Sequence, residues 1–228
     1  APQAAPASAA MRVPVRYATL KDVRPNTWEA EARYPVFGGT SPVARAAGAA
    51  FRSQARKLLD EFLEQAREDW KGKDKPVGEY LFELDPIVGL AHPDLVSGYF
   101  THSFFTGGAH PNAVFLPHTF GRVGGRVKRL TLKDLLKSDR SAQSLVTQVL
   151  LPALNAQKKE RGAEPLKSDE IGEKALDNFV VTPTAITWLF SPYAVGAYAE
   201  GPYFVKIPLT RLREFLAPNG PLRPVLAP

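Results

Sequence analysis

The stretch Gly98 to Phe120, GYFTHSFFTGGAHPNAVFLPHTF, constrains this chain more than any other. Two runs rich in aromatic and β-branched residues, Tyr99 to Phe105 and Ala113 to Phe120, flank Thr106-Gly107-Gly108-Ala109-His110-Pro111-Asn112. This is the pattern of a β-hairpin with a long loop. Adjacent glycines supply the positive φ angles that ordinary residues resist, and the residue before Pro111 is held extended, so the loop has a specified shape. The hairpin is expected at the centre of a sheet.

The segments around it supply neighbours. Val13 to Lys21 and Trp28 to Tyr34 alternate as strands about an Arg24-Pro25-Asn26 turn, with Trp28, Ala30, Ala32 and Tyr34 on the core side. Ser41 and Pro42 start a long helix whose Val43, Ala47, Phe51, Leu58, Phe62 and Trp70 recur at helical spacing, ending near Lys71-Gly72. Glu79 to Asp85 reads as a strand, and Arg126 to Leu130 returns after the turn Gly124-Gly125, which completes an antiparallel meander. A short helix from Thr131 is followed by a helical run from Ser141 to Lys159, which Pro152 should kink or interrupt. Ser168 is predicted to cap a third helix carrying Ile171, Ala175, Leu176 and Phe179 on one face. Ala185 to Phe190 and Tyr203 to Ile207 are strands, joined by SPYAVGAYAEGP, and Leu209 to Leu216 is a terminal helix. Strands and helices come in blocks, so the expected class is α+β: an antiparallel meander with a long helix in its N-terminal domain and further helices packed on one face. The domain reading is a disordered leader over 1–12, a smaller α+β domain over 13–94, a larger one over 95–217, and a Pro-rich tail over 218–228.

Composition excludes several chemistries. With no cysteine among 228 residues there are no disulfides, thiolate nucleophiles or thiolate-bound metals. No apolar run approaches the roughly 18 residues of a membrane span, so no transmembrane helix is expected. The net charge of +6 favours anionic partners, yet Arg122, Arg126, Lys128 and Arg129, and again Lys158, Lys159 and Arg161, are not interleaved with stacking aromatics. They read as solvated faces, and nucleic acid is not an expected partner. The opening APQAAPASAA is small and aperiodic and reads as a leader left after removal of an export signal, which places the chain in the periplasm or outside the cell.

The candidate chemistry centres on the hairpin. His92, His102, His110 and His118 fall in one short window near Asp85 and Asp94, but their spacing does not make a convergent metal set, and no metal or cofactor is expected. Ser103 or Thr106 beside His102 or His110 lacks a nucleophile-elbow sequence, and Thr101 and Ser103 match the polar side of a half-exposed strand. Glu64, Glu68 and Asp69 read as helix-surface charges and Glu79 and Glu83 as solvent-facing. Tyr193, Tyr198 and Tyr203, with Glu200, lie in the irregular link, where tyrosine suits recognition of protein or sugar surfaces or else plugs the core end.

TGGAHPN on the hairpin, RLTLKDLLK after the glycine turn, and TPTAITWLFSPYAVGAYAEGPYFVKIPLTRLREFL resemble the paired domains of unknown function in RsiV-type anti-sigma factor ectodomains and ahead of the catalytic domain in PdaC-type peptidoglycan deacetylases. EARYPVFGG before the long helix is similar to the smaller N-terminal domain of that pair. The resemblance implies an extracytoplasmic α+β protein. In RsiV-type proteins the region receives lysozyme as a signal; in the deacetylases it accompanies a separate catalytic domain, which this sequence does not contain. The reading is a non-enzymatic exported binding or sensor module at the bacterial cell envelope, recognising an envelope protein or a peptidoglycan-type glycan. Its expected binding residues are Thr106, Gly107, Gly108, His110, Asn112, Tyr193, Tyr198, Glu200 and Tyr203. The alternative is an envelope hydrolase or metal-dependent enzyme using the hairpin histidines.

Overall fold

The computed structural model describes residues 12–72, 76 and 78–226, so the expected leader lies outside the described residues except for Arg12. The chain opens with an antiparallel pair, β1 (Val15–Arg24) and β2 (Trp28–Phe37), whose tight turn is made by Asn26 at φ +56°. Helix α1 (Pro42–Lys71) follows. Ser41 caps it by accepting the Ala44 N–H at 3.1 Å, and Val43, Ala47, Phe51, Ala55, Leu59, Phe62 and Ala66 form one buried stripe at spacings of three and four. A helix this long carries the chain back to the end of the sheet it left. The next strand, β3 (Tyr80–His92), therefore pairs with β2 in parallel, with Trp28 opposite Tyr80 and Ala32 opposite Leu84.

From β3 the chain makes the expected meander: β4 (Leu95–Phe105), β5 (Asn112–Val123) and β6 (Arg126–Arg129) pair antiparallel in order, giving one six-stranded sheet, β1 to β6. The anticipated division after Asp94 falls in the turn between β3 and β4, inside this sheet. β3 also runs seven residues beyond the Asp85 end read from alternation, because Pro86 and Gly89 interrupt the pattern without ending the strand. Gly89 sits at a register shift, and a Cβ there would come within 2.8 Å of the Val181 carbonyl oxygen. Glycine admits that close approach of a second layer.

The second layer is a three-stranded antiparallel sheet, β7 (Phe179–Val181), β8 (Ala185–Phe190) and β9 (Tyr203–Pro208). It lies on the β4–β5 side facing away from α1, where Ser97 Oγ accepts the Val181 N–H at 2.8 Å and shares a hydrogen bond of 2.7 Å with Thr119. Helices α2 (Leu132–Leu135), α3 (Asp139–Leu145) and α4 (Leu151–Glu160) pack on the outer face of that layer. α3 and α4 are joined through a wide π turn over Val146–Leu150, and Pro152 is the second residue of α4, directly after that turn. The third helix predicted from Ser168 is replaced by a single 3-10 turn, Ser168–Glu170, and the short α5 (Glu173–Leu176); Phe179 belongs to β7. Gly172 separates the two turns, and burial of Phe179 beside Trp188 outweighs helical periodicity. The terminal helix is one turn, α6 (Leu209–Leu212), and the Pro-rich tail carries α7 (Arg223–Leu226) and buries Leu222.

Two principal cores result. Phe51 and Phe62 of α1 meet Phe82, Leu84 and Phe100 of the large sheet. On the far side, Leu145, Leu150 and Leu154 meet Trp188, Phe190, Tyr203 and Val205. No helix among the described residues is long and apolar enough to cross a membrane.

Candidate functional site

The hairpin sends its histidines to two different places. His102 is opposite Val114 and His118 opposite Gly98, so both project toward α1. His118 is 3% exposed, its ring 4.7 Å from Phe51, and neither ring nitrogen has a hydrogen-bond partner. His102 lies between Phe82 at 4.8 Å and Phe104 at 4.7 Å, with its Nε2 unpartnered. Burial lowers both imidazoles to a pKa of about 4, the Arg129 charge adding to the effect at His118, so both are neutral near pH 7. Four strand positions, roughly 13 Å, separate them, too far to share a ligand. His92 ends β3, where its Nδ1 accepts the Asp94 N–H at 3.1 Å. Among the described residues no group of three or more His, Asp or Glu side chains could hold a metal ion.

His110 goes elsewhere. Gly107 and Gly108 take φ +87° and +103°, as the pair of glycines predicts, and turn the loop toward the tyrosine-rich link. There His110 stacks on Tyr198 with ring centroids 3.9 Å apart and planes 19° from parallel. The Tyr198 hydroxyl donates to the Pro111 carbonyl at 2.8 Å, and His110 Nδ1 lies 2.9 Å from that same oxygen. With Nδ1–H as the donor, Nε2 is left as an acceptor at the surface. Tyr193, 66% exposed, lies 5.4 Å from Tyr198 and sits at φ +70°, a conformation rare for a bulky residue. Two segments far apart in sequence thus form one aromatic ledge.

The link holds its shape through a polar brace. Lys158 of α4, only 2% exposed, donates to Glu200 at 2.6 Å and to the Val195 carbonyl at 2.9 Å. Glu200 also accepts the Tyr203 hydroxyl at 2.7 Å and the Ala197 N–H at 3.0 Å. The Lys158 hydrogen bond, followed by those from Tyr203 and Ala197, pulls the Glu200 carboxyl down to about 2. Arg161 lies 4.1 Å over the Tyr203 ring and donates to the Glu200 and Pro202 carbonyls at 2.6 and 2.8 Å. A Cβ on Gly196 would collide with the Glu200 carboxylate, so glycine there lets the brace close.

Of the nine residues expected to bind, the structure brings His110, Tyr193 and Tyr198 together at the surface. Gly107 and Gly108 shape the loop, beside a half-buried Thr106. Asn112 opens β5 opposite Phe104 and belongs to the ladder. Tyr203 is fully buried and Glu200 is engaged within the brace, so both position the link from beneath, a correction to their reading as surface contacts. Lys158 corrects the reading of its charge group as a solvated face. Its signal was available: Leu150, Leu154 and Lys158 follow one another at intervals of four on the buried side of the helix.

Residues 24–113 match the family model described as "Deacetylase PdaC", and residues 133–210 match "Protein of unknown function (DUF3298)". The two matched segments follow one another along the chain, and the His110–Tyr198 stack joins the first to the second. Two solved structures share the fold. A DUF3298 family member from Bacteroides fragilis NCTC 9343 has a TM-score of 0.60 and 17% identity, covering 96% of this chain and 100% of its own. A DUF3298 family protein from Pseudomonas aeruginosa PAO1 has a TM-score of 0.58 and 17% identity, covering 91% of this chain and 95% of its own. No curated protein matches the chain.

Proposed function

We propose that this chain is a non-enzymatic, exported binding or sensor module at the bacterial cell envelope, which recognises a protein or a wall glycan on the ledge formed by His110, Tyr198 and Tyr193. The observation that carries this reading is the His110–Tyr198 stack, closed by the shared Pro111 carbonyl. Rings fixed before a ligand arrives lose little freedom when it binds. Tyrosine offers broad apolar contact with a polar tip, which suits both protein and sugar surfaces. The companion PdaC and DUF3298 matches support an envelope setting, since the first is described as a deacetylase and the sequence resembles the non-catalytic region of such enzymes. A sensor role of the RsiV type is part of the same proposal.

The alternative hydrolase would need the hairpin histidines to converge, and His102, His118 and His110 point to separate environments. The test compares Tyr198→Ala, and separately His110→Ala with Asn112→Ala, against the wild type for retention of purified peptidoglycan fragments and of envelope proteins. The expected result is a roughly ten-fold or greater loss for Tyr198→Ala with the fold retained. Unchanged retention by both folded variants would show that the ledge is structural only.

A further inference from the structure

The large sheet has a second surface, independent of the ledge. β7 covers the β4–β5 part of the side away from α1, through Ser97 and Thr119, while the same side of β1, β2 and the first half of β3 remains open. Seven large hydrophobic side chains are exposed among the described residues, and four of them, Tyr17, Val23, Leu81 and Ile87, at 46–49% exposure, are on this one open side. Sharing one open sheet face, as two rows on either side of a polar strip, they mark an interaction surface more than exposure scattered over both sides would.

Between these apolar positions runs an acidic column. Strand register sets Glu29 opposite Leu81, and Glu31 directly opposite Glu83, with Asp85 two positions farther along β3 on the same side. Lys21 spans Glu29 at 3.1 Å and Glu31 at 3.3 Å, and Arg33 pairs with Asp85 at 2.9 Å. Among the described residues no cation pairs with Glu83. Its carboxyl is held above the usual range, first by partial burial, then by hydrogen bonding with Asp85 and the Asp85 and Glu31 charges. Like charges directly opposite across a ladder weaken it, so this face keeps an electrostatic cost that a cation from outside would relieve. Four carboxylates against two cations also give the face a sign opposite to the chain's net +6. That overall charge sets two copies of this chain against each other, while the face itself attracts positive groups.

We propose that this open face docks a cationic amphipathic peptide segment, with its Lys or Arg side chains over Glu31 and Glu83 and its apolar side chains against Tyr17, Val23, Leu81 and Ile87. Charge steers and orients the segment, and the apolar flanks supply the buried area.

The probe is a short synthetic amphipathic peptide of leucine and lysine, titrated into the intact protein by fluorescence anisotropy, beside a leucine–glutamate peptide of the same length. Expected are saturable binding of the lysine peptide only, weakening of roughly ten-fold for the double variant Glu31→Gln, Glu83→Gln, and a loss of similar size on raising the salt from about 0.05 to 0.5 M. The double variant removes the Glu31–Glu83 repulsion together with the exposed Lys21–Glu31 pair, two small opposing effects, so it should melt close to the wild type and lost binding is not lost folding. Tyr198→Ala should bind the peptide unchanged. Absence of saturable binding, equal binding of both peptides, an unaffected double variant, or equal weakening by Tyr198→Ala each overturns the proposal. So does a stable dimer in sedimentation that Ile87→Ser dissociates, because the occupant would then be a second copy.

Discussion

The body of the β4–β5 hairpin and its tip use the same side chains to opposite ends. In the body, His102 and His118 are pressed under α1 among phenylalanines, with no partner for three of their four ring nitrogens. At the tip, His110 is stacked at the surface and engaged with the Pro111 carbonyl. Aromatic packing buries imidazole in one place and presents it in the other; the difference comes from what covers the strand. A histidine is a functional signal only where its nitrogens can reach something, and of the three hairpin histidines only His110, at the tip, meets that condition.

The contrast can be broken by removing the cover. Phe51 is fully buried and touches both Phe100 and His118, so Phe51→Ala should cost about 3–5 kcal/mol in urea melts, with His118 gaining solvent. A loss below about 1 kcal/mol would mean that α1 does not seal the hairpin.

Acid separates the body of the hairpin from its tip. The two buried imidazoles fall from an ordinary 6.5 to about 4 on folding, so between those values the unfolded chain binds more protons than the native one. Stability from this source is complete above pH 6.5 and is lost as the pH drops toward 4, on the order of 3 kcal/mol for each histidine. Urea melts from pH 7 to 4.5 should show this slope. His118→Leu should roughly halve it, whereas Tyr198→Ala should leave it as in the wild type.

Smaller effects belong to the tip and its support. Glu200→Gln leaves the buried Lys158 charge without its counter-ion and should cost about 2–3 kcal/mol, less than a fully enclosed pair because Glu200 keeps some exposure. Gly108→Val meets no atom within 4 Å, yet forces a β-branched residue to φ +103°, and should cost about 1–3 kcal/mol. A thermal melt equal to that of Lys133→Ala would show that the loop does not hold this shape.

The signals legible in the sequence are local. Ser41-Pro42 and the apolar stripe specify α1, alternation specifies β1, β2 and the hairpin, and the glycine pairs specify two turns, because caps, periodicity and φ preferences act over a few residues. Prediction failed where local signals were weak or overruled: Pro86 and Gly89 hid the second half of β3, and burial of Phe179 turned a helical period into a strand. Charge type alone likewise suggested a solvated Lys158. The parallel pairing of β2 with β3, the place of His102 and His118 under α1, and the meeting of His110 with Tyr198 arise in the assembled fold. The reason is physical: each of these depends on contacts between segments tens of residues apart, whose free energy comes from mutual burial and from hydrogen bonds that exist only once both sides are in place.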